Sequence, residues 1–481
     1  MPTRFILLIL AGLSLPCLGA DRPARYVATF ADGQRLEGNR LRDWHDERAT
    51  PSLDGQLLFS PGKSLCWLRD RWQPQPELPT AYVEFTNGDR LPGEVIDFRT
   101  GQEDAYAPLP AHLVVRVALQ FEPPENKPVA EIRVATAFVR RVVWHGRVDR
   151  SYQAGTAFYR DGRSMMFRSL RWHSGLVHLL AADGDQRAVW SELAEVHLLA
   201  SDPWEAYFDQ VGFLCQDATT RLVEIETSSG LVALASTSRF AARFEGNSAD
   251  PERWVHGIQP AWSLDILWIP FREIACYRFF LPHEVPLSRI APRANAESNR
   301  EARQSSWQLN RNASGGWLRN KSTEFGWGFG VRGMVESAFE LPSYARTFRT
   351  SVCLDREAGD GGCVRPRLFI RPAGSLAGGE LLWEGPLLIG SEMIAETGPL
   401  KLPPLLASTH ELVLQADSVK HDRPPNADPF EIRDFTDWCD PLVVLDEKQV
   451  KRELAARLAA HFPAWKHWEL SAGEGDRPNR G

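Results

Sequence analysis

The first half of the chain alternates apolar and polar residues in short runs that are separated by turn dipeptides. Residues 30–38 (FADGQRLEG) recur in form at residues 85–93 (FTNGDRLPG). An Asp-Gly or Asn-Gly pair between alternating apolar positions predicts a hairpin with a two-residue type I′ turn. Further Asp-Gly pairs follow at residues 161–162 and 183–184. Their unequal spacing argues against a propeller or a solenoid, so we expect small β-barrel or meander units.

Two segments change to a helical period. Asp202, Pro203 and Glu205 form a capping-box pattern before an apolar stripe, whose members are Trp204, Tyr207, Phe208 and Val211. This stripe is expected to pack against a sheet.

Near the C-terminus, Asp446 precedes apolar residues spaced by four, which predicts a helix within residues 447–470. These residues are Val450, Leu454, Leu458 and Phe462. The helix can pack on its own domain or dock on a partner. The polar, Gly- and Pro-containing residues 471–481 predict a disordered tail.

The resulting prediction is a mainly β protein with several domains. We expect a hairpin or small-barrel domain at residues 21–150, a second β-rich domain with one helix at 151–285, and a Pro-, Arg- and Ala-containing linker at 286–306. Residues 307–446 alternate as expected for a β-sandwich. A length of 481 residues fits this division, since domains usually have about 100–200 residues.

Charge and the N-terminus limit the class of function. The net charge is −7 and the basic residues are scattered, so no face is expected to bind nucleic acid. Arg4, the apolar residues 5–15 and the small residues 18–20 predict a signal peptide over residues 1–20. Lipid attachment at Cys17 is the alternative to cleavage before Asp21. The protein is therefore expected to be secreted or to lie in the periplasm or cell envelope, with no membrane span.

Six cysteines remain after such cleavage. Export permits disulfides, and Cys353 and Cys363 flank a loop across which they could pair. Small buried thiols are an equally good interpretation. Since no pair has CxxC spacing, neither a zinc site nor a redox motif is predicted.

The C-terminal third resembles the NPCBM-like carbohydrate-binding modules, a jelly-roll family often found beside glycoside hydrolases. The resemblance rests on a set of short strand motifs between residues 307 and 444. They lie at residues 326–330, 334–339, 344–348, 352–355, 361–370, 410–415 and 434–438.

This resemblance implies a jelly-roll sandwich that binds a glycan or polysaccharide. Sugars offer apolar C–H faces ringed by hydroxyl groups, so a site needs exposed aromatic rings and fixed polar groups. The candidate stacking rings are Trp327, Trp383 and Trp438. The candidate polar partners are Arg346, Arg349, Arg365, Asp355 and Asp437. Core positions for Trp383 and Trp438, and a turn cap for Asp355, are the alternatives.

A calcium ion is a further alternative for two acidic sets, which lack a recognisable ligand spacing, so no metal or cofactor is predicted. These sets are Asp355, Glu357 and Asp360, and Asp417, Asp422 and Asp428.

No catalytic motif emerges either: the strand–helix alternation of a catalytic barrel, a Gly-x-Ser-x-Gly elbow and a His-Glu-x-x-His helix are all missing. The leading hypothesis is an exported, non-catalytic glycan-binding protein. The alternative is an envelope scaffold whose β domains contact another protein.

Overall fold

The computed structural model describes most of the chain between residues 23 and 461. The described residues are 23–44, 50–60, 62–102, 109–122, 129–146, 150–215, 217–237, 241–244, 250–293, 309–375, 378–404, 410–419 and 423–461. The predicted signal peptide, most of the predicted linker, Phe462 and the predicted tail lie outside them. The described chain is mainly β, as predicted.

The described residues of the N-terminal part form 23 strands and one helix, and the strand that follows them, β24 (Glu284–Pro286), belongs to a layer of the sandwich. The strands are β1 (Tyr26–Phe30), β2 (Arg35–Gly38), β3 (Leu41–Arg42), β4 (Ser52–Leu53), β5 (Gln56–Leu57), β6 (Leu65–Asp70), β7 (Tyr82–Phe85), β8 (Arg90–Arg99), β9 (His112–Phe121), β10 (Val129–Ala135), β11 (Val139–Val143), β12 (Thr156–Tyr159), β13 (Ser164–Met166), β14 (Ser169–His173), β15 (Leu176–Ala181), β16 (Gly184–Val189), β17 (Leu193–His197), β18 (Leu222–Thr227), β19 (Val232–Ser236), β20 (Ala241–Phe244), β21 (Trp254–Ile258), β22 (Leu267–Pro270), β23 (Ile274–Phe280) and β24 (Glu284–Pro286). Helix α1 (Pro203–Leu214) lies between β17 and β18.

One sheet of 14 strands organises this part. Its main path is β13-β12-β17-β11-β7-β8-β19-β18-β23-β6-β1-β2, and β9 and β10 branch from β8. Strands from both predicted N-terminal units therefore belong to the same sheet. The N-terminal part also contains three small sheets, β3-β4-β5, β14-β15-β16 and β20-β21-β22. The core contains stacked Phe85 and Trp262, whose ring centroids are 4.0 Å apart.

The predicted hairpins form, but their turns are not type I′. At three of them the Gly N–H bonds the carbonyl three residues earlier, as Gly88 does to Phe85 at 3.0 Å. Only the glycine has a positive φ, at Gly33, Gly88 and Gly162. The Asp or Asn before it keeps a negative φ because its side chain accepts a bond from the N–H two residues on, as Asn87 does from Asp89 at 2.9 Å. The turns are thus type I followed by a left-handed glycine.

The C-terminal part is a two-layer antiparallel sandwich, as predicted. Its strands are β25 (Gly328–Arg332), β26 (Val335–Leu341), β27 (Ala345–Leu354), β28 (Cys363–Pro372), β29 (Glu380–Glu384), β30 (Leu388–Ile389), β31 (Ile394–Glu396), β32 (Leu400–Lys401), β33 (His410–Asp417) and β34 (Phe435–Leu445). One layer has the order β24-β34-β27-β31 with β25 and β32, and the other β26-β33-β28-β29 with β30. Helix α2 (Glu447–His461) follows.

Both helices begin where predicted. The Asp202 carboxylate accepts bonds from the N–H groups of Trp204 and Glu205 at 2.8 and 2.9 Å. The Asp446 carboxylate accepts one from Gln449 N–H at 3.1 Å. The apolar stripe of α1 packs against a sheet, as predicted: it joins a core that the sandwich shares with Leu222, Leu234 and Phe280 of the large sheet. Helix α1 also lies against α2. Neither helix, within the described residues, combines the length and apolar character needed to cross a membrane.

The junction between the large sheet and the sandwich is closely packed. Strand β24 pairs with β34, and the following Leu287, Ser288, Arg289 and Ile290 are buried. The predicted linker, residues 286–306, therefore begins within this packed junction. Its residues 294–306 lie outside the described residues. The domain limits remain predictions.

Candidate functional site

The structure places two of the three predicted stacking rings in the interior. Trp438 has no exposed surface and lies between the two layers of the sandwich. Trp327 is also buried and packs edge-to-face on Phe280, with centroids 6.2 Å apart. A buried ring offers no face to a sugar, so the predicted platform is wrong at both positions. Trp383 is half-buried on β29 and packs against the same core.

The two predicted acidic partners are buried as well. Asp355 and Asp437 lie beneath the segment of residues 309–326, which covers the outer face of β27 and β34. The Asp355 carboxylate accepts bonds from Glu357 N–H at 2.8 Å and from the Asn312 side-chain amide at 3.0 Å. Asp355 thus caps the turn after β27, the alternative role weighed for it. Neither carboxylate is available to the hydroxyl groups of a sugar outside the protein.

The environment of Asp437 favours its neutral form. Burial raises the pKa of this carboxyl well above its usual range, and the neighbouring Cys353 and Asp355 raise it further. The nearby backbone N–H of Arg319 acts in the opposite direction.

The three predicted arginines do not share one surface. Arg346 lies at the helix α2 end of the sandwich and pairs with Asp446 at 3.0 Å. Arg349 is exposed in the middle of β27. Arg365 is half-buried near the opposite end, where β28 begins and β33 ends. The eight predicted site residues therefore do not form a single site.

The predicted Cys353–Cys363 disulfide is also not formed. The described cysteines, Cys66, Cys215, Cys276, Cys353, Cys363 and Cys439, are free thiols, and all but Cys66 are buried. The loop after Cys353 crosses from one layer of the sandwich to the other, so the flanking cysteines start from different sheets. Cys353 instead lies beside Cys439, with their sulfur atoms 3.8 Å apart.

In neither of the two acidic sets considered as calcium ligands do the described contacts bring the carboxylates together. Asp417 pairs with Arg367 at 2.6 Å, and Asp428 pairs with Arg433. Glu357 accepts a bond from Ser314 at 2.7 Å. Asp422 lies outside the described residues.

A different surface of the sandwich gathers exposed apolar side chains among charged ones. We call it the loop face, and it comprises the turn at residues 332–335, the loop at 355–362 and the loop at 423–434. The Phe430 side chain is 78% exposed, that of Ile432 58% and that of Met334 57%. Large apolar groups concentrated this way on a monomer surface usually mark an interaction site.

The loop that carries Phe430 is braced by two arginines. Arg423 donates to both oxygens of buried Asp434, at 2.7 and 3.0 Å, and to the Ser418 carbonyl at 2.7 Å. Arg433 forms a second forked pair with Asp428. These two pairs and the bond from Asp428 N–H to the Gly361 carbonyl at 2.7 Å tie the loop to its neighbour. Bidentate pairs of this kind fix geometry as well as charge.

Phe430 itself has an uncommon backbone conformation. Its φ is +65°, in the left-handed region that non-glycine residues rarely occupy. Such strain costs about 1–3 kcal/mol and concentrates at functional sites. The fold therefore presents this aromatic ring to solvent at an energetic cost.

The loop face also carries polar groups. The exposed Arg332 guanidinium stacks on Phe435 at 5.1 Å from the ring centroid. Glu431, next to Phe430, accepts a bond from Ser418 at 2.9 Å and lies close to Gly333. The loop face thus combines an aromatic plane with oriented donors and acceptors.

The loop face was not predicted from the sequence, because the candidate stacking rings were all tryptophans in or next to predicted strands. One usable signal was the segment at residues 424–432 (PPNADPFEI), in which Phe and Ile stand inside a Pro- and Asp-rich loop. Apolar residues in such a loop have no alternating pattern to bury them.

Comparisons with known proteins give little further information. No family model matches the chain. The search of curated proteins finds no match. Among solved structures, two of CBM51-2 and INT domains from Clostridium perfringens ZmpB, one in complex with GlcNAc, match with 17% and 18% identity and TM-scores of 0.25 and 0.26. A third, of the M60 catalytic domain with CBM51-1 and CBM51-2 from the same protein, matches with 12% identity and a TM-score of 0.25.

Coverage is partial in all three. The first two matches cover 44% of this chain and 43% and 42% of theirs, and the third covers 87% and 51%. This chain therefore spans less than two thirds of each matched chain. Similarity at these TM-scores carries no argument about fold or ligand.

Proposed function

We propose that this chain is an exported, non-catalytic protein that binds a glycan or polysaccharide through the loop face of its C-terminal sandwich. The observation that carries the proposal is the exposed ring of Phe430, held at a strained φ in a braced loop. An aromatic plane open to solvent is what the apolar face of a sugar stacks on.

The surroundings of the ring support this assignment. Arg332 and Glu431, which belong to the same loop face, offer a donor and an acceptor for hydroxyl groups. The ion pairs of Arg423 and Arg433 hold the loop in place before a ligand binds, so binding costs little conformational entropy. Pre-organisation matters for sugars because each hydroxyl contact replaces a bond to water and contributes little net free energy.

Two further considerations support the export and non-catalytic parts of the proposal. The first 20 residues have the pattern of a signal peptide. For the non-catalytic part, the sequence shows no catalytic-barrel alternation, no Gly-x-Ser-x-Gly elbow and no His-Glu-x-x-His helix.

Glycan arrays and pull-downs on insoluble polysaccharides, made with the whole protein, test this proposal. Phe430→Ala is expected to weaken binding about tenfold, corresponding to about 1.4 kcal/mol. Trp72→Ala, which removes an exposed aromatic side chain from the N-terminal part, is the matched control and should bind as the wild type does. Absence of binding across a broad panel by folded protein, or equal binding by the Phe430 variant, would contradict the proposal.

A second candidate is an envelope scaffold that contacts another protein through the same face. The exposed Ile432 and Met334 of the loop face favour it, because exposed apolar side chains grouped on one face are typical of a protein-binding surface. Ile432→Ser distinguishes the two functions. Capture of an envelope protein would be lost in this variant if the face binds protein, whereas stacking of a sugar on Phe430 would persist.

A further inference from the structure

We propose that Cys353, Asp437 and Cys439 form a buried site for a divalent zinc ion, a function separate from the loop face. The thiol sulfurs and a carboxylate oxygen of these three residues all lie within 4.8 Å of one another. All three side chains are buried, in the described part of the chain, beneath the segment of residues 309–326.

Strand register brings the three groups together. Cys353 on β27 stands directly opposite Asp437 on β34, and Cys439 is two residues further along β34. Because side chains two residues apart point to the same face of a strand, both β34 groups project toward the face that carries Cys353. Leu318 and Phe325 close this face, so a bound ion would be shielded from water.

The sulfur separation fits zinc but does not decide for it. Two thiolates bound tetrahedrally at about 2.3 Å stand about 3.7–3.8 Å apart, and the observed separation is 3.8 Å. A disulfide requires about 2.05 Å. Two neutral thiols in van der Waals contact would, however, show a similar separation.

The carboxylate supplies the independent argument. Among the described residues, neither oxygen of the fully buried Asp437 meets a donor in hydrogen-bond geometry, although the backbone N–H of Arg319 and the carboxyl of Asp355 lie close to it. Buried polar groups in native proteins are satisfied with few exceptions, and an exception calls for an explanation such as an ion. A cation held jointly with the two sulfurs satisfies both oxygens.

The donor set selects the metal. Calcium and magnesium prefer oxygen ligands, whereas zinc accepts thiolate and carboxylate ligands together. Asp355 lies next to Asp437 but outside the three residues whose ligand atoms lie within 4.8 Å of one another, so its carboxylate would have to turn toward them to complete the coordination. In its present orientation it accepts bonds from Asn312 and Glu357, and such surrounding hydrogen bonds are common at metal sites.

Metal analysis of the whole protein, purified from zinc-supplemented culture, tests the proposal. The wild type is expected to retain one zinc per chain after dialysis, and Cys353→Ser and Asp437→Asn are expected to lose it. Cys363→Ser removes another buried thiol of the same sandwich and should keep the ion. Folded wild-type protein without zinc, or a Cys353→Ser, Cys439→Ser double variant that retains it, would overturn the proposal.

Two measurements on the unaltered chain keep the test independent of variant folding. Cobalt(II) bound in place of zinc should give a thiolate charge-transfer band and the visible bands of tetrahedral coordination. A cobalt spectrum without the thiolate band contradicts the assignment. Peptide mapping without reduction would also contradict it by finding Cys353 and Cys439 joined as a disulfide.

Discussion

Trp438 and Phe430 are aromatic residues eight positions apart that occupy opposite environments. The Trp438 ring has no exposed surface and packs between the layers of the sandwich, whereas the Phe430 side chain is 78% exposed. The difference follows from the backbone, since alternate residues of β34 face the core and the preceding loop does not alternate. Residue type alone therefore did not identify the exposed ring.

Substitution of the two rings should separate stability from binding. We expect Trp438→Ala to lower the free energy of unfolding by about 3–5 kcal/mol, because it opens a large cavity in the core. Phe430→Ala should change it by about 0.5 kcal/mol or less, since an exposed ring loses few contacts. Denaturant unfolding of both variants measures this, and a stable Trp438→Ala protein would refute the assignment of that ring to the core.

Local features of the fold were predictable at the residue scale and the contacts between distant segments were not. The helix caps at Asp202 and Asp446, and the hairpins around Gly33 and Gly88, depend on neighbours within a few residues, and each formed. The burial of Asp437 depends on a covering segment more than 100 residues earlier. The Cys353–Cys439 contact likewise depends on the pairing of β27 with β34, which no spacing in the sequence indicates.

At the scale of elements, the two helices meet at a glycine. A Cβ atom added to Gly212 of α1 would lie 2.8 Å from the Cβ of Arg457 on α2. Arg457 in turn donates to Asp209 on α1 at 2.8 Å. The close approach answers a question that the sequence left open: α2 packs on its own chain, with Val450 and Leu454 fully buried.

Gly212→Ala is expected to destabilise the protein, although alanine is the better helix former by about 1 kcal/mol. The clash involves a Cβ, which cannot rotate away, so the helices must move apart at a cost of about 1–3 kcal/mol. Gly378→Ala, where an added Cβ meets nothing within 4 Å, is the control and should not destabilise. Thermal unfolding of both variants checks the sign, and a stabilised Gly212→Ala would show that the helices are not in close contact.

At the scale of the whole molecule, a buried ionic cluster joins the large sheet to the sandwich. Arg278 on β23 pairs with Glu224 and Glu226 on β18, both at 2.7 Å, and donates to the carbonyl of Gly326. Arg289 and Arg311 approach the same glutamates from the sandwich side. Buried charges are costly unless every one is paired, so the cluster favours this one arrangement of the two parts.

Acid should weaken the junction through Glu226. Burial alone would raise the pKa of this carboxyl, but Arg311 and Arg278 outweigh it and lower the pKa to about 2. Because an unfolded glutamate titrates near about 4.3, the stabilisation is complete above that pH and is lost as the pH falls toward about 2. Glu226→Gln should therefore lower the free energy of unfolding at neutral pH. It should also make that free energy depend less on pH between about pH 4.5 and 2.

Denaturant unfolding across this pH range measures the slope, with the exposed Glu192→Gln as a control that should keep the wild-type profile. A residual slope in Glu226→Gln is expected from Glu84, whose pKa is also lowered to about 2, with Arg141 and Arg140 outweighing the effect of burial. If instead Glu226→Gln retained the full wild-type slope, the ionised form of Glu226 would not contribute to the stability of the junction.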